Sequence, residues 1–446
     1  MADFPSATDD RIVAELERLS QDNGDYWTFR GRADRKRNQG LIQYPAMMVP
    51  EMQAVLVEAV AVADGGIGSV YDPFAGCGTT LVESMRLGLD FVGQDINPLA
   101  VLFCRAKSGP FHLHKLSGAI KDVVAQARAD RGRRFEAQFP GLRKWFGSRA
   151  ITDLSRIRRA IRGVDHAWCR RVLWTGLAET VRLTSNSRTS TFKLHVRSPD
   201  DLEARTVRPL EVFSSVVANM CRRLHEEAGA LREAGHLTRG GYYRGQVQIR
   251  LGDSTAGHGD GATHDLVVTS PPYGDNTSTV PYGQYSYLPL QWIDLVDIGD
   301  EIDDDCVRSA YEIDARSLGG SRKGAVEQVA EMLDVSPSLK KTLERLDDLP
   351  PDRKGRVAAF FRDFDASLDA VLAVLKPDGY MIWTIGNRRV GGELVPSDQI
   401  LEELLDARHA RLVARIEREI PNKRMANRNS IAKTMCKEAI LVFGKA

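Results

Sequence analysis

The segment from Val70 to Thr80 (VYDPFAGCGTT) joins an apolar β-like run to a helix through a loop that contains two glycines. Glycine lets the backbone approach a ligand closely, and the amide groups at a helix N-terminus attract anionic groups. In open α/β sheets, ligands bind at the carboxyl ends of the strands. The loop therefore predicts a ligand site at the end of a strand in an α/β fold.

The spacing around this loop narrows the class of ligand. The loop does not match a dinucleotide-binding fingerprint, because Leu81 stands where the third glycine would be. A phosphate-binding P-loop is excluded as well, because no Gly-Lys-Ser/Thr follows. Asp95 ends the next β-like run, seventeen residues after Gly78. A carboxylate there can accept both hydroxyls of a ribose, or it can cap the helix that starts near Pro98. Together, loop and acid predict a nucleoside-containing cofactor without a pyrophosphate.

Short apolar runs around helical stretches predict an α/β fold with a mostly parallel sheet and helices on both faces. The runs are IGSVYDPF, LDFVGQDI, QVQIRLGD, HDLVVTS, GYMIWTIG and EAILVFG. Residues 110–235 and 301–370 are rich in helix formers and poor in glycine and proline, so we interpret them as helical insertions into this core. No apolar run approaches the roughly 18–20 residues of a membrane-spanning helix. We expect a cytoplasmic protein without membrane association.

The run HDLVVTSPPYG is the most specific feature of the chain, because its apolar strand ends in Ser270-Pro271-Pro272-Tyr273. The two prolines stiffen the turn and remove two backbone donors, while their carbonyls remain as acceptors. Tyr273 can lay its ring against a planar group. The turn therefore suits a planar molecule that carries an amino group. The alternative is a rigid turn with a packed tyrosine.

Charge is distributed unevenly along the chain, although the net charge is only +1. Residues 128–171 hold thirteen Lys/Arg and four Asp/Glu, with Trp145, Phe146, Trp168 and Trp174 in or just after this run. Such a segment suits a polyanion whose bases can stack, or it is the solvated face of amphipathic helices. The acidic run from Asp294 to Asp305 is expected in a solvated loop. Further basic segments lie at residues 30–37 and 420–430.

These motifs resemble those of the S-adenosylmethionine-dependent methyltransferases that act on exocyclic amino groups in DNA. DPFAGCGTT is similar to their cofactor loop, and SPPY is similar to their catalytic turn. Within that family the turn begins with serine mostly in N4-cytosine enzymes, and with aspartate or asparagine mostly in N6-adenine enzymes. Tyr44-Pro45-Ala46-Met47 and Gly252-Asp253-Ser254 resemble two further cofactor segments. The resemblance implies a Rossmann-like methyltransferase core and S-adenosylmethionine as cofactor.

The resemblance also implies a role for each matching residue. The methionine part of the cofactor would lie against Phe74, Gly76 and Gly78. Its carboxylate would meet Thr79 and Thr80 at the helix N-terminus. The remaining cofactor-binding residues are expected to be Tyr44, Pro45, Ala46, Asp72, Asp95 for the ribose, Asn97, and Asp253 for the adenine amino group. The catalytic residues would be Ser270, Pro271, Pro272 and Tyr273. No metal is expected, since the six cysteines form no CxxC pair.

Two insertions interrupt the expected core. We divide the chain into a basic N-terminal extension (1–37), a cofactor-binding half (38–105), a basic helical insertion (106–242), a catalytic part (243–292), a second helical insertion (293–360) and a C-terminal part of the core (361–446). The first insertion is the candidate region for reading DNA, because phosphate would repel the acidic run of the second. The candidate DNA-binding residues are Arg143, Lys144, Arg158, Arg159, Lys423 and Arg424.

The resemblance thus implies a methyltransferase acting on N4 of cytosine in double-stranded DNA, with the target base flipped out of the stack. A cognate restriction endonuclease is a possible partner implied by the resemblance. N6 of adenine, or an amino group in RNA, is the main alternative. A glutamine-amide protein methyltransferase and a DNA-binding subunit with a vestigial site are less consistent with Ser270 and with the intact motifs. A ring-carbon methyltransferase would need a Pro-Cys nucleophile, and no cysteine follows a proline.

Overall fold

The computed structural model of the protein describes residues 6–20, 26–29, 41–257, 264–299, 302–420 and 437–445. The strands in these ranges are β1 (Ser69–Asp72), β2 (Asp90–Asp95), β3 (Val247–Leu251), β4 (His264–Thr269), β5 (Leu375–Gly386), β6 (Arg388–Val390), β7 (Glu393–Val395), β8 (Ala410–Glu419) and β9 (Lys437–Lys445). All strands except β6 and β7, which pair as a hairpin, form one sheet.

The helices before residue 110 are α1 (Ala7–Ser20), α2 (Pro50–Asp64), α3 (Thr79–Arg86) and α4 (Pro98–Lys107). Those of the first insertion are α5 (Leu113–Ala129), α6 (Leu142–Trp145), α7 (Ser148–Arg162), α8 (Ala167–Thr184), α9 (Pro199–Glu203) and α10 (Pro209–Glu233). The later helices are α11 (Tyr282–Leu290), α12 (Glu312–Arg316), α13 (Ala325–Gln328), α14 (Met332–Val335), α15 (Pro337–Arg345), α16 (Pro351–Val374) and α17 (Ser397–Asp406). Within the described ranges, no helix is both long and apolar enough to cross a membrane.

The large sheet has the strand order β3-β2-β1-β4-β5-β9-β8. The first five strands are parallel, and β9 runs antiparallel to both β5 and β8. The chain reverses its direction of progress across the sheet between β1 and β4, which is where open α/β sheets bind ligands. The predicted fold class, a mostly parallel Rossmann-like sheet with two largely helical insertions, is confirmed.

Alternate residues of the central strands pack on opposite faces of the sheet. Leu266 and Val268 contribute to a core that α2 and α3 cover, whereas Val267 contributes to a core that α16 and α17 cover. Strands buried on both faces need continuous apolar runs, and that is why β4 was recognisable in the sequence.

Each of the six predicted β-runs contains a strand of the sheet, but β8 was missed. Its sequence, ARLVARIERE, mixes charged and apolar residues. Such a pattern is compatible with an amphipathic helix as well as with an edge strand. In the structure β8 is the edge of the sheet, where one face remains partly exposed. Its arginines form ion pairs with neighbouring elements, for example Arg411 with Asp9 at 2.7 Å.

The expectation that the acidic run lies in a solvated loop was wrong for its first part. Asp294 pairs with Arg158 at 2.7 Å and with Arg162 at 2.6 Å. Asp297 pairs with Arg170 at 2.5 Å. The acids therefore neutralise arginines of α7 and α8 instead of facing solvent, and these ion pairs lower the pKa of Asp294 although burial opposes the shift.

The aromatic residues of the basic run are also part of the interior. Trp145, Phe146, Trp168 and Trp174 are all buried. Large aromatic rings at helical spacing contribute most by packing. These rings are therefore not available for stacking on bases. The alternative of a solvated helix face does not hold for α8 either, because this helix is buried along most of its length.

A buried ion-pair cluster joins the first insertion to the core. Arg86 of α3 donates two hydrogen bonds to Glu227 of α10, at 3.0 and 2.5 Å, and a third to Glu83 at 2.9 Å. The carboxylate side chains are only 3% and 2% exposed. One guanidinium thus bridges two buried carboxylates that have little access to water.

We expect Arg86→Leu to lower the free energy of unfolding by about 3–5 kcal/mol, because two buried carboxylates lose their shared cation. Urea denaturation would measure the change. The control is Arg222→Ala on α10, since Arg222 is 58% exposed and its pair with Glu226 should contribute less than about 1 kcal/mol. Equal small effects of the two substitutions would contradict this account of how the insertion is anchored.

Candidate active site

The carboxyl ends of β1, β2, β3 and β4 open into a cavity of about 810 Å³, part of it continuous with solvent. Its walls come from segments far apart in sequence: the residues around Tyr44, the glycine loop, the end of β2, the Gly252–Ser254 segment, the SPPY turn and α12. Nine of the expected cofactor residues line it, namely Tyr44, Pro45, Ala46, Phe74, Gly76, Thr79, Asp95, Asn97 and Asp253. Ser270 and Pro272 line it as well.

The glycine loop takes a conformation that other residues rarely adopt. Gly76 and Gly78 have φ angles of +51° and +78°. A Cβ at Gly78 would also lie 3.0 Å from Cys104 Sγ, so this position has neither the backbone nor the space for a side chain. Gly78, which precedes α3, and the fully buried Thr80, its second residue, do not line the cavity. Thr79 is the residue of this helix start that faces the cavity.

Asp95 is held by two backbone amides. Its Oδ2 accepts a hydrogen bond from Gly76 N, and its Oδ1 accepts one from Asn97 N, both at 2.8 Å. The helix α4 is capped by Asn97, whose Oδ1 accepts from Leu99 N at 3.0 Å, so the alternative of Asp95 as the helix cap is wrong. Burial raises the pKa of Asp95 to about 6, although the two amides oppose the shift.

Asp72 lies beneath the glycine loop and is fully buried. Its Oδ1 accepts hydrogen bonds from Phe74 N at 3.1 Å and from Thr269 Oγ1 at 2.7 Å. Burial raises the pKa of Asp72 to about 6. Asp72 therefore connects the loop after β1 to the end of β4.

A buried polar and aromatic cluster forms the wall nearest Tyr44. Asn97 Nδ2 donates to the Tyr44 hydroxyl at 3.2 Å and to Ser286 Oγ at 2.8 Å. The Tyr44 ring lies 5.8 Å from the ring of Tyr282 and 5.5 Å from that of Tyr285, measured between centroids. Of the three tyrosines that follow the SPPY turn, Tyr282 lines the cavity, whereas Tyr285 and Tyr287 are buried in packing.

The SPPY turn presents Ser270 and Pro272 to the cavity, while Pro271 is buried behind it. The hydroxyl of Tyr273 points away toward β9, where it donates to Glu438 Oε1 at 3.0 Å. Ser270 Oγ donates in turn to the Tyr273 hydroxyl at 3.3 Å. Burial raises the pKa of Tyr273 well above its usual value, and the neighbouring carboxylate adds to the shift.

Sequence reasoning missed the wall that the second insertion contributes. Ile313, Ser317 and Leu318 line the cavity, together with Asn276 after the SPPY turn. No chemical motif marks these residues, and only the ordinary helical pattern of this region was visible. Asp314, the buried neighbour of Ile313, accepts from Gly283 N at 2.8 Å and so fixes α12 beside α11.

The candidate DNA-binding residues fall into three groups. Arg143 and Lys144 are exposed on α6. Arg158 and Arg159 are engaged in ion pairs within the protein, Arg159 with Asp130 at 2.7 Å. Lys423 and Arg424 lie outside the described residues, as does the basic segment at 30–37. Arg143 and Lys144 are therefore better placed to meet a phosphate than Arg158 and Arg159.

Comparison with known proteins places the chain in a family. No family model matches it. It is 31% identical over 432 residues to the type II methyltransferase M.MvaI of Kocuria varians, which covers 95% of this chain and 92% of that protein. The chain belongs to the S-adenosylmethionine-dependent DNA methyltransferases. A shorter match links this methyltransferase to the type II methyltransferase M.MjaII of Methanocaldococcus jannaschii, at 30% identity over 94 residues, or 21% of this chain and 17% of that one.

Solved structures add little to this assignment. A ribosomal RNA methyltransferase, aviRa of Streptomyces viridochromogenes, aligns over 90% of this chain and 88% of its own. The sequence identity is 11% and the TM-score 0.30, so this likeness carries no argument about the substrate of the DNA methyltransferase.

The methyl donor of the DNA methyltransferase is S-adenosylmethionine, and the cavity fits such a molecule. The carboxylates of Asp95 and Asp253 can accept from hydroxyl and amino groups, and Phe74, Met47 and Ile313 provide apolar surface. Asp253 accepts from Thr255 N at 3.0 Å and is otherwise exposed, so lone pairs remain for a ligand.

Proposed function

We propose that this methyltransferase transfers a methyl group from S-adenosylmethionine to the exocyclic N4 amino group of cytosine in double-stranded DNA. The observation that carries the proposal is that Ser270, at the end of β4, lines the same cavity as Gly76 and Asp95. A turn that begins with serine resembles those of N4-cytosine enzymes. The proposal extends to a flipped target base, because a stacked amino group cannot reach a turn inside a cavity.

The chemistry of an exocyclic amine explains why the turn consists of acceptors. The nitrogen lone pair is delocalised into the ring, so the amine is a weak nucleophile. Ser270 Oγ would accept one of its two hydrogens and favour a pyramidal nitrogen with an available lone pair. The Pro271 carbonyl as acceptor of the other hydrogen stays a prediction, because Pro271 does not line the cavity. When bound, S-adenosylmethionine supplies the electrophilic methyl group. Positioning and electrostatics then account for most of the rate, and no covalent enzyme intermediate is required.

The cofactor contacts that we propose follow from the cavity. Asp95 would accept from the ribose hydroxyls with the lone pairs that its two amide contacts leave free. Asp253 would accept from the adenine amino group. Thr79 would meet the carboxylate of the cofactor at the N-terminus of α3, where the helix dipole favours a negative charge. Tyr273 as a stacking partner of the target base stays a prediction.

We also propose that DNA contacts a basic surface formed by Arg143, Lys144, Arg188, Lys193 and His195. All five side chains are exposed. Residues 141–149 and 185–197, which carry them, contain no Asp or Glu. A surface of one charge sign attracts phosphate through counterion release.

Contacts of the surrounding chain hold this basic surface together beside the cavity. Asn186 donates from N to Trp145 O at 2.7 Å and from Nδ2 to Lys144 O at 3.0 Å, which ties α6 to the loop after α8. At the other end of that loop, Leu194 N donates to Gln284 Oε1 at 3.1 Å. Gln284 belongs to α11, between Tyr282 of the cavity wall and Tyr285. Duplex DNA on the basic surface would therefore lie next to the opening for a flipped base.

The test of the proposed function is mass spectrometry of nucleosides from the DNA of cells that express the protein. We expect N4-methylcytosine with the wild type. We expect none, or a reduction of roughly 10²–10³-fold in the methylation rate, with Ser270→Ala, because a group placed for the reacting atoms is lost. The control is Ser278→Ala, since Ser278 is bonded to Asp275 in the loop after the turn. N6-methyladenine would contradict the assignment to cytosine, and unchanged methylation by Ser270→Ala would remove this residue from the reaction.

We expect the affinity for S-adenosylmethionine to fall at acid pH. With a pKa of about 6, Asp95 is a carboxylate at neutral pH and becomes protonated as the pH falls through that value. If only the carboxylate accepts both ribose hydroxyls, affinity falls about tenfold between pH 7 and pH 5. Isothermal calorimetry would measure this dependence in the wild type and in Asp95→Asn. If the affinity of the two proteins depended on pH in the same way, the titrating group would be a residue other than Asp95, for instance Asp72.

We expect the triple substitution Lys144→Ala, Arg188→Ala and Lys193→Ala to weaken DNA binding and its salt dependence. Each lost phosphate contact reduces the slope of log affinity against log salt by about 0.9, so the slope should become shallower by roughly 2–3. Fluorescence anisotropy over a salt series would measure it. Arg222→Ala is the matched control, since this exposed arginine is paired on α10. An unchanged slope in the triple variant would contradict the assignment of the basic surface.

A further inference from the structure

Glu438, at the beginning of β9, lies behind the catalytic turn, and no sequence motif marked it. Its Oε1 accepts a hydrogen bond from the Tyr273 hydroxyl at 3.0 Å. The same hydroxyl accepts a hydrogen bond from Ser270 Oγ at 3.3 Å. Three side chains thus form one chain of hydrogen bonds that begins at the residue facing the cavity and ends at a carboxylate.

The chemistry of the groups determines the direction of this chain. An ionised carboxylate only accepts hydrogen bonds, whereas a hydroxyl has one hydrogen and two lone pairs. Tyr273 therefore gives its hydrogen to Glu438 and has lone pairs left toward Ser270. Ser270 then gives its own hydrogen to Tyr273. The lone pairs of Ser270 Oγ are what remains for a ligand in the cavity.

The position of Glu438 is itself supported from the far side. Glu438 is the cross-strand neighbour of Gly386 on β5 and of Arg418 on β8. Arg418 is buried, and its guanidinium pairs with Glu438 Oε2 at 3.5 Å. The pair suits an ionised carboxylate, so the acceptor at the end of the chain is supplied by the antiparallel edge of the sheet.

We propose that Glu438 is a positioning residue which, through Tyr273, holds Ser270 as a hydrogen-bond acceptor toward the target amine. The inference rests on the proposed role of Ser270 and deepens it. A serine hydroxyl that is free to rotate can donate to the ring nitrogen beside the exocyclic amine, N3 in cytosine. Such a bond draws the amine lone pair further into the ring and lowers its nucleophilicity. The hydrogen bonds from Ser270 to Glu438 prevent this donation to the ring nitrogen, because the hydrogen of Ser270 is already given to Tyr273.

The test is a double-substitution cycle of Glu438→Gln and Tyr273→Phe, with single-turnover transfer of a tritiated methyl group to DNA at saturating cofactor and DNA. The amide introduced by Glu438→Gln can donate to the Tyr273 hydroxyl and reverse the chain, whereas Tyr273→Phe removes that hydroxyl and interrupts it. Each single variant should lower the rate constant roughly tenfold, less than loss of Ser270 itself, with little change in the affinity for cofactor or DNA. The double variant should be no slower than the slower single one, because both break the same chain.

Two results would overturn the proposal. One is a loss of rate that is as large when Glu438→Gln is introduced into Tyr273→Phe as when it is introduced into the wild type. Glu438 would then act through the sheet and not through Tyr273. The other is loss of cofactor affinity in Glu438→Gln without a change in the rate constant. The control is Glu417→Gln, because Glu417 pairs with Lys437 across β8 and β9 but is 60% exposed. Incorporated tritium reports methylation of cytosine and of adenine alike. The rate constants of the variants could therefore still be compared if the target base were adenine.

Discussion

The site depends on one buried carboxylate, Asp72, which connects the two loops that carry its chemistry. Asp72 accepts from Phe74 N in the loop after β1 and from Thr269 Oγ1 at the end of β4. These two strands are neighbours only because the chain reverses its progress across the sheet between them. The glycine loop and the SPPY turn are 190 residues apart, taken from Thr80 to Ser270, yet they line one cavity because their strands are parallel and end together. This connection requires Asp72 to be buried, and the burial raises its pKa to about 6.

Local motifs made the centre of the site predictable, whereas its surroundings were not. The glycine loop, Asp95 and the SPPY turn have backbone or acceptor requirements that only a few residue types satisfy, so they are visible in sequence. Ile313 and Leu318 line the same cavity through ordinary packing, for which many residues would serve. The strand β8 was missed because edge strands tolerate charge on their exposed face. Glu438 was invisible for a different reason, because its role depends on which strand lies beside β5.

The count of Lys and Arg along the sequence did not show which of these side chains are exposed to a DNA phosphate. Residues 128–171 carry a large excess of Lys/Arg, but Arg158 and Arg162 pair with Asp294 from another part of the chain. Acid and base were counted in separate segments, and only the tertiary structure brings them together. Exposed cations remain on α6 and on the loop after α8, and also at Arg128, Arg131, Arg133, Arg134 and Arg149. Protein–DNA contacts need a phosphate to reach the cation, so exposure decides more than composition.

The central claim is that one cavity holds the methyl donor beside Ser270. A crystal structure with S-adenosylhomocysteine, the demethylated product, tests it most directly. We expect the ribose hydroxyls on Asp95, the adenine near Asp253, and the sulfur facing the cavity wall formed by Ser270 and Pro272. Binding of this molecule outside the cavity, or with its sulfur turned away from Ser270, would contradict the account.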